Sequence, residues 1–209
     1  DEYNIISGNH HLTCNMKSIF TGKSMNNGGS HVREESTGRG VALMIKEWSK
    51  KNNYNLQGKK YIVQGFGKVG FRACEVLSTY GMNLVAVADH TCYLYLKEGF
   101  NVFNLRDHIS ENKVLKGYEH GEEISKEEFF KINCNVIIPS ALELQIDENI
   151  AKDINCDLIV EAANGPIDNE AELILEGKNI PIIPDILANS GGVLVSYYEW
   201  LQNKRDEYW

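Results

Sequence analysis

An α/β fold, a doubly wound and mostly parallel sheet, is what this 209-residue chain predicts. Three observations carry the prediction. Short β-branched apolar runs alternate with longer stretches whose apolar residues recur at helical spacing. In the clearest such unit, the run Tyr61-Ile62-Val63-Gln64 meets Gly65-Phe66-Gly67-Lys68-Val69-Gly70, and an apolar stripe follows at Val69, Ala73, Val76, Leu77 and Tyr80. A second run, Leu84 to Ala88, closes that unit at Asp89. Strands joined through helices run parallel, and their sheet needs cover on both faces.

The glycine turn makes the unit Rossmann-like. A bare GxGxxG is a weak signal, but here it lies between strand and helix, with an acid about 20 residues further on. Gly65 allows the tight turn, Gly67 lets a pyrophosphate approach the backbone, and Gly70 lets the helix pack on the strand. Open N–H groups and the dipole at the helix start attract phosphates. Asp89 is placed to accept hydrogen bonds from an adenosine ribose and to repel a 2′-phosphate, so NAD is the expected cofactor. Protonated His90, next along, would pair with a 2′-phosphate, which keeps NADP open. The alternative, a glycine turn in a doubly wound fold without a ligand, fits the full context less well.

The remaining elements follow in order. Asp1 to Asn27 is polar, with turns at Thr21-Gly22-Lys23 and Asn27-Gly28-Gly29-Ser30. Lys23 reads as a solvated turn lysine, since nothing nearby in sequence would desolvate it. His10, His11 and Cys14 lack a fourth ligand and read as surface loop rather than zinc site. A helix follows Arg33-Glu34-Glu35, capped by Ser36 or Thr37, with Val41, Met44, Ile45 and Trp48 on its apolar face. Beyond Asp89, Tyr93 to Phe100 reads as a short hairpin or loop punctuated by Gly99. Val102 to Leu115 and Ser125 to Ile132 read as helices, the second with a Ser125 cap and an acidic first turn. Asn135 to Pro139 is a buried strand, and Ile146 to Ile154 a helix starting near Asp147. Asp157 to Glu161 is a strand with Ala162 to Pro166 as its exit loop. Glu170 to Leu175 is helical, Ile180 to Pro184 extended, Asp185 to Gly192 a loop, and Gly192 to Asn203 a closing helix.

Exit loops of parallel strands gather at one sheet edge. Gly65 to Gly70, Asp89, Pro139 to Leu142, Ala163 to Pro166 and Asp185 to Gly192 are therefore expected to converge. No repeat or linker composition divides the chain. One domain is expected over residues 1–209, with 1–35 as lead-in, 36–203 as core and 204–209 as tail.

Bulk properties exclude several classes. A net charge of −8 without a long basic run argues against nucleic acid and anionic membrane as partners. No apolar run approaches the roughly 20 residues that span a bilayer, and no basic-then-apolar leader opens the chain. The cysteines, 5 in number, are scattered with no C-x-x-C pair, which points to free thiols and an intracellular compartment, cytoplasm or organelle matrix. No metal site is expected.

At the exit loops the chain resembles the glutamate dehydrogenases, in their C-terminal nucleotide-binding domain. The blocks are Thr21-Gly22-Lys23, Gly28-Gly29-Ser30, Arg33 to Gly40 (REESTGRG), Gln64 to Gly70 (QGFGKVG), Ile138 to Leu142 (IPSAL), Glu161 to Pro166 (EAANGP) and Pro184 to Trp200 (PDILANSGGVLVSYYEW). The resemblance implies NAD(P)-dependent oxidative deamination: hydride leaves the α-carbon of L-glutamate for nicotinamide C4, and the imine hydrolyses to 2-oxoglutarate and ammonium. It also implies roles. Thr37 would bond the nicotinamide carboxamide. Gly65, Phe66, Gly67, Lys68 and Val69 would hold the pyrophosphate, and Asp89 the adenosine ribose. Ala141, Asn164 and Asn189 would line the dinucleotide groove, while Val193 and Ser196 would touch the glutamate side chain. In a purely structural reading, Thr37 and Ser196 are helix caps and the asparagines brace loops.

Departures from the family pattern matter as much. Lys68 stands where Asn is usual in the glycine turn, Leu144 where Asn or Gly is usual, and Ser36 where Ala is usual. The glycine-rich stretch that carries the family's catalytic lysine does not occur, nor does the segment bearing its catalytic aspartate. The expectation is an excised half of an enzyme with no catalytic residue of its own, inactive alone, and a monomer or weak dimer where the full-length protein forms a homo-hexamer. Two alternatives stand beside it. One is the matching domain of a leucine, valine or phenylalanine dehydrogenase, although the Ser196 to Trp200 run suits the glutamate type. The other is a stand-alone nucleotide-sensing or regulatory module.

Overall fold

The computed structural model describes residues 17–207. The tempting trio His10, His11 and Cys14 lies outside them. Seven strands form one sheet: β1 (Lys60–Gln64), β2 (Asn83–Ala88), β3 (Tyr93–Tyr95), β4 (Glu122–Ile124), β5 (Val136–Pro139), β6 (Leu158–Val160) and β7 (Ile182–Ile183). Their spatial order is β4-β3-β2-β1-β5-β6-β7. From β2 to β7 neighbours are parallel; β3 and β4 add an antiparallel edge. The chain winds outward from β1 through β2, then returns to β5 on the other side. The crevice between β1 and β5 is thus a topological switch point, where an open α/β sheet presents its ligand site.

Eight α-helices are described: α1 (Ser36–Lys51), α2 (Lys68–Thr79), α3 (Val102–Asn112), α4 (Lys126–Lys131), α5 (Glu148–Asp153), α6 (Asn169–Gly177), α7 (Asp185–Ala188) and α8 (Gly191–Arg205). Side chains alternate across each strand, so β1 feeds two cores. Tyr61 and Val63 pack with Val41 and Ile45 of α1, Ala73 and Leu77 of α2, and Leu105 of α3. Ile62, between them in sequence, joins Phe129 and Phe130 of α4, Ile150 and Ala151 of α5, and Ala171 and Leu175 of α6. These short strands are buried on both faces, which is why they read as unbroken apolar runs.

Several boundaries differ from expectation, each for a local reason. Ser36 does not cap α1. It is the first helical residue, and its hydroxyl donates to the Arg33 carbonyl, while Glu35 takes the cap position with helical backbone angles. The helix expected to reach Leu115 ends at Asn112, because Lys113 turns left-handed at φ +68°. Part of the expected loop from Asp185 to Gly192 is the one-turn helix α7. Strand β4, Glu122 to Ile124, has too few apolar residues to announce itself. By contrast Ser125 forms the expected capping box with Glu128.

Leu144 sits at φ +52° and is 65% exposed. Left-handed backbone costs a branched side chain roughly 1–2 kcal/mol, and asparagine tolerates it better. Leu144→Asn is therefore expected to stabilise the chain by about 1 kcal/mol, raising the melting temperature by about 2–4 °C. A thermal unfolding curve measures this; an unchanged or lower midpoint would contradict the strain argument.

Candidate functional site

The glycine turn shows a separate steric reason at each glycine. Gly65 has φ +101°, and a Cβ there would lie 2.7 Å from the Ala141 nitrogen. Gly70 faces the Gly65 carbonyl, and its Cβ would also meet the Ser140 hydroxyl at 2.9 Å. Gly67 differs: nothing lies within 4 Å of its would-be Cβ. It caps α2 with no side-chain acceptor, so the first-turn N–H groups stay open in front of free space. Ser140 ties the turn to the exit of β5, its hydroxyl donating to the Gly65 carbonyl at 2.6 Å.

Beside this turn opens a cleft of about 580 Å³. Thr37, Val69, Ala141, Asn164, Asn189 and Val193 line it, so half of the residues expected at the site share one wall. Arg33, Ser140, Leu142, Glu143, Ala162, Ala163 and Gly192 complete it. The exit loops of β1, β5, β6 and β7 therefore meet as the topology requires. Within the lining Gly192 packs directly on α1: a Cβ there would stand 2.5 Å from the Thr37 hydroxyl.

A short polar chain fixes the asparagines. Glu161 accepts from the Asp185 N–H at 2.9 Å, and Asp185 accepts from the Gly165 N–H at 2.9 Å. Burial is the main cause that pushes the Glu161 carboxyl up; the neighbouring Asp185 and Glu172 charges add to it against the Asp185 N–H bond. The two loops so joined bring Asn189 to Asn164, amide to carbonyl, at 2.7 Å. That bond uses one amide's NH₂ and the other's oxygen. The Asn164 NH₂ and the Asn189 oxygen keep no protein partner among the described residues, leaving one donor group and one acceptor for a ligand.

Other expected residues stand elsewhere. Phe66 is 5% exposed and buries its ring in the core, so only its backbone belongs to the turn. Lys68 reaches Glu34 at 3.5 Å with both side chains 80% exposed, a weak tether. Ser196 is half-buried on α8 and lies off the cleft lining.

Asp89 lies off the lining too, and its carboxylate is already engaged. One oxygen accepts from the Thr91 N–H (2.7 Å), the Thr91 hydroxyl (2.5 Å) and the Cys92 N–H (3.2 Å); the other accepts from the Leu115 N–H (2.7 Å). Burial alone would push this acid up, but the bonds from Thr91, Leu115 and Cys92 together outweigh it, and its pKa is lowered.

Lys23 is not the solvated lysine that its turn suggested. Its ammonium lies 2.8 Å from the Glu199 carboxylate, with the side chains 12% and 0% exposed. Desolvation comes from α8, more than 170 residues away in sequence, which local reading cannot reach. The Glu199 acid is raised by burial but lowered further by the bonds from the Lys23 side chain and the Gly22 and Lys23 N–H groups, so it is held ionised. Arg33 was also missed as a site residue. Its Nε is buried with no partner among the described residues, and it enters the cleft from the turn that leads into α1, four residues before Thr37.

A profile of the Glutamate/Leucine/Phenylalanine/Valine dehydrogenase family matches residues 28–209. The chain belongs to that family. Within it, the NAD-specific glutamate dehydrogenase of Staphylococcus aureus (strain COL) is 38% identical over 210 residues, spanning 100% of this chain and 49% of the relative. The hetero-hexameric glutamate dehydrogenase of Thermus thermophilus, in a leucine-bound form, superposes with a TM-score of 0.84 at 32% identity, covering 90% of this chain and 44% of that one. That of Peptoniphilus asaccharolyticus gives a TM-score of 0.76 at 37% identity, covering 92% and 45%. The chain thus spans about half the length of the family members it matches. Among the described residues no helix is long and apolar enough to cross a membrane.

Proposed function

We propose that this chain is the cofactor-binding half of an NAD-dependent glutamate dehydrogenase, folded as a single nucleotide-binding domain over residues 1–209. The observation that carries the proposal is the open space at Gly67, in front of uncapped helix N–H groups: Gly67 lines a smaller cavity of about 240 Å³ with Lys68 and Arg106, while Val69, two residues on, lines the larger cleft. The neighbouring Gly65 and Gly70 are filled by the protein itself; Gly67 alone in the turn leaves room for a phosphate. When bound, the cofactor supplies the hydride acceptor. This chain's residues hold and orient it: the α2 N–H groups at the pyrophosphate, Thr37, Asn164 and Asn189 at the nicotinamide half, and Asp89 near the adenosine ribose.

Glutamate as substrate, with Val193 and Ser196 beside its side chain, and a hexameric full-length assembly complete the proposal. The first draws support from relatives that are named glutamate dehydrogenases, the second from the Thermus neighbour, which is described as hetero-hexameric. Hydride transfer needs cofactor and proton-transfer groups held together in one closed site. Those groups are proposed to lie in the part of the enzyme that these 209 residues do not span.

The test is calorimetric titration of the chain with NAD and with NADP, and a turnover assay with glutamate. The expected result is binding of NAD, weaker binding of NADP and no turnover. Absence of binding to either dinucleotide would overturn the cofactor reading, and turnover by the chain alone would overturn the assignment of the catalytic groups elsewhere.

A further inference from the structure

We propose that Lys23 and Glu199 form a positioning pair that holds α8 against the segment preceding α1, and so fixes the place of Val193 in the cleft lining and of Ser196 one turn further along α8. The inference rests on the dinucleotide reading and concerns the nicotinamide end of that site.

The argument starts from what α8 buries. Its buried residues are Gly192, Glu199, Gln202 and Asn203, with no aliphatic side chain among them. Val193 is 72% exposed, Leu194 54%, Tyr197 52% and Tyr198 46%. A helix of 15 residues is ordinarily held by an apolar stripe. This one is held at three points by other means. At its start, Gly191 and Gly192 pass so close to Ser36 and Thr37 of α1 that a Cβ on either would collide. Two turns on, the buried Glu199 carboxylate accepts from the Gly22 N–H (2.8 Å), the Lys23 N–H (3.2 Å) and the Lys23 ammonium (2.8 Å). One turn further, the Asn203 amide donates to the Gly28 carbonyl at 2.8 Å. Val193 and Ser196 lie between the first two of these anchors.

Neither Lys23 nor Glu199 lines the cleft, so neither is placed to touch a ligand there. Their effect must pass through the helix. Removing one charge leaves the other without its counter-charge in a little-exposed place, with only the Gly22 and Lys23 N–H groups for Glu199 or the Phe20 carbonyl for Lys23, which is unfavourable. The cheapest relief is for α8 or the segment at Gly22 and Lys23 to move until the charge meets water. The first motion displaces Val193 and Gly192 from the cleft wall and the second withdraws the support that keeps α8 from shifting there, while α2 and its glycine turn, packed separately on α1, stay in place.

The experiment compares NAD with ADP-ribose, which keeps the adenosine and pyrophosphate but lacks nicotinamide. In Lys23→Met and Glu199→Gln, the dissociation constant for NAD is expected to rise about tenfold, with ADP-ribose changed by less than about twofold. Lys23→Arg, which keeps the cation, should restore NAD binding. Hydrogen exchange provides a readout without ligand: amides 193–199 should exchange faster in the Met and Gln variants, and amides 72–79 should not. Parallel weakening of both ligands, no weakening of NAD, or unchanged exchange in α8 would overturn the proposal. If the wild-type chain binds neither ligand, the dinucleotide reading fails on its own account. The exchange data then still decide whether the pair holds the helix.

Discussion

Gly67→Asp is expected to leave the chain as stable as before, or slightly more so, and to weaken NAD binding at least about 100-fold, near 2.7 kcal/mol. Opposite signs on the two measurements are the point. Gly67 has φ −79° and ψ −162°, angles that any residue adopts, and its Cβ would point into empty space. Aspartate is among the preferred N-cap residues, and its charge suits the helix dipole. It would therefore satisfy the N–H groups of α2 with its own carboxylate. That same carboxylate would then fill and repel the place proposed for the pyrophosphate. Gly70→Ala is the contrast. Its methyl group would enter the Gly65 carbonyl and the Ser140 hydroxyl, which are fixed to each other, so a loss of about 1–3 kcal/mol is expected from overpacking. Thermal unfolding and NAD titration of both variants separate the roles. A Gly67→Asp protein that bound NAD normally, or that melted as early as Gly70→Ala, would remove the basis for placing a phosphate at this turn.

The legible part of this chain was the part where sequence neighbours are also spatial neighbours. Gly65, Gly67 and Gly70 stand within one turn and one helix start, so the tight turn, the open position and the close helix packing are readable from six consecutive residues. The capping box at Ser125 and Glu128 is likewise local. Convergence of the exit loops was also readable, because parallel winding forces strand ends to one edge whatever the side chains are. What stayed hidden depended on distant contacts. Lys23 looked solvated because the residue that buries it is Glu199. Asp89 looked free to meet a ribose because Leu115, whose N–H it accepts, belongs to a loop with no signal linking it to β2. The helix at Asp185 was missed because one turn is too short to show periodicity. The glutamate contacts proposed for Val193 and Ser196 rest on resemblance alone, since α8 has no buried apolar stripe from which its orientation could be read.

Asp89→Ala tests what a carboxylate does when both of its oxygens are already engaged. Each oxygen offers about two lone-pair positions; three donors from Thr91 and Cys92 crowd one, and the Leu115 N–H takes part of the other. A ribose hydroxyl at this place would have to share an oxygen rather than claim one. Two consequences follow. The first concerns stability: removing the carboxylate strands partly buried N–H groups, so a loss of about 2 kcal/mol is expected. Because hydrogen bonding lowers the Asp89 pKa on folding, the unfolded chain binds the extra proton first as the solution is acidified. Its contribution is therefore fully present above the ordinary aspartate value near 3.9 and is lost as pH falls through the lower folded value. The wild type should lose stability across that interval and Asp89→Ala should lose less. The second consequence concerns selectivity. If Asp89 acts on the cofactor mainly through charge, its removal should strengthen NADP binding, by relieving repulsion of the 2′-phosphate, more than it weakens NAD. Asp89→Asn separates the two effects, since it keeps an acceptor for Thr91 and Cys92 but carries no charge. It should retain more stability than the alanine variant while losing NADP rejection to the same extent. Were Asp89→Asn to keep the wild-type preference for NAD, the carboxylate would be a brace for the loop after β2 and the discrimination would have to come from another group.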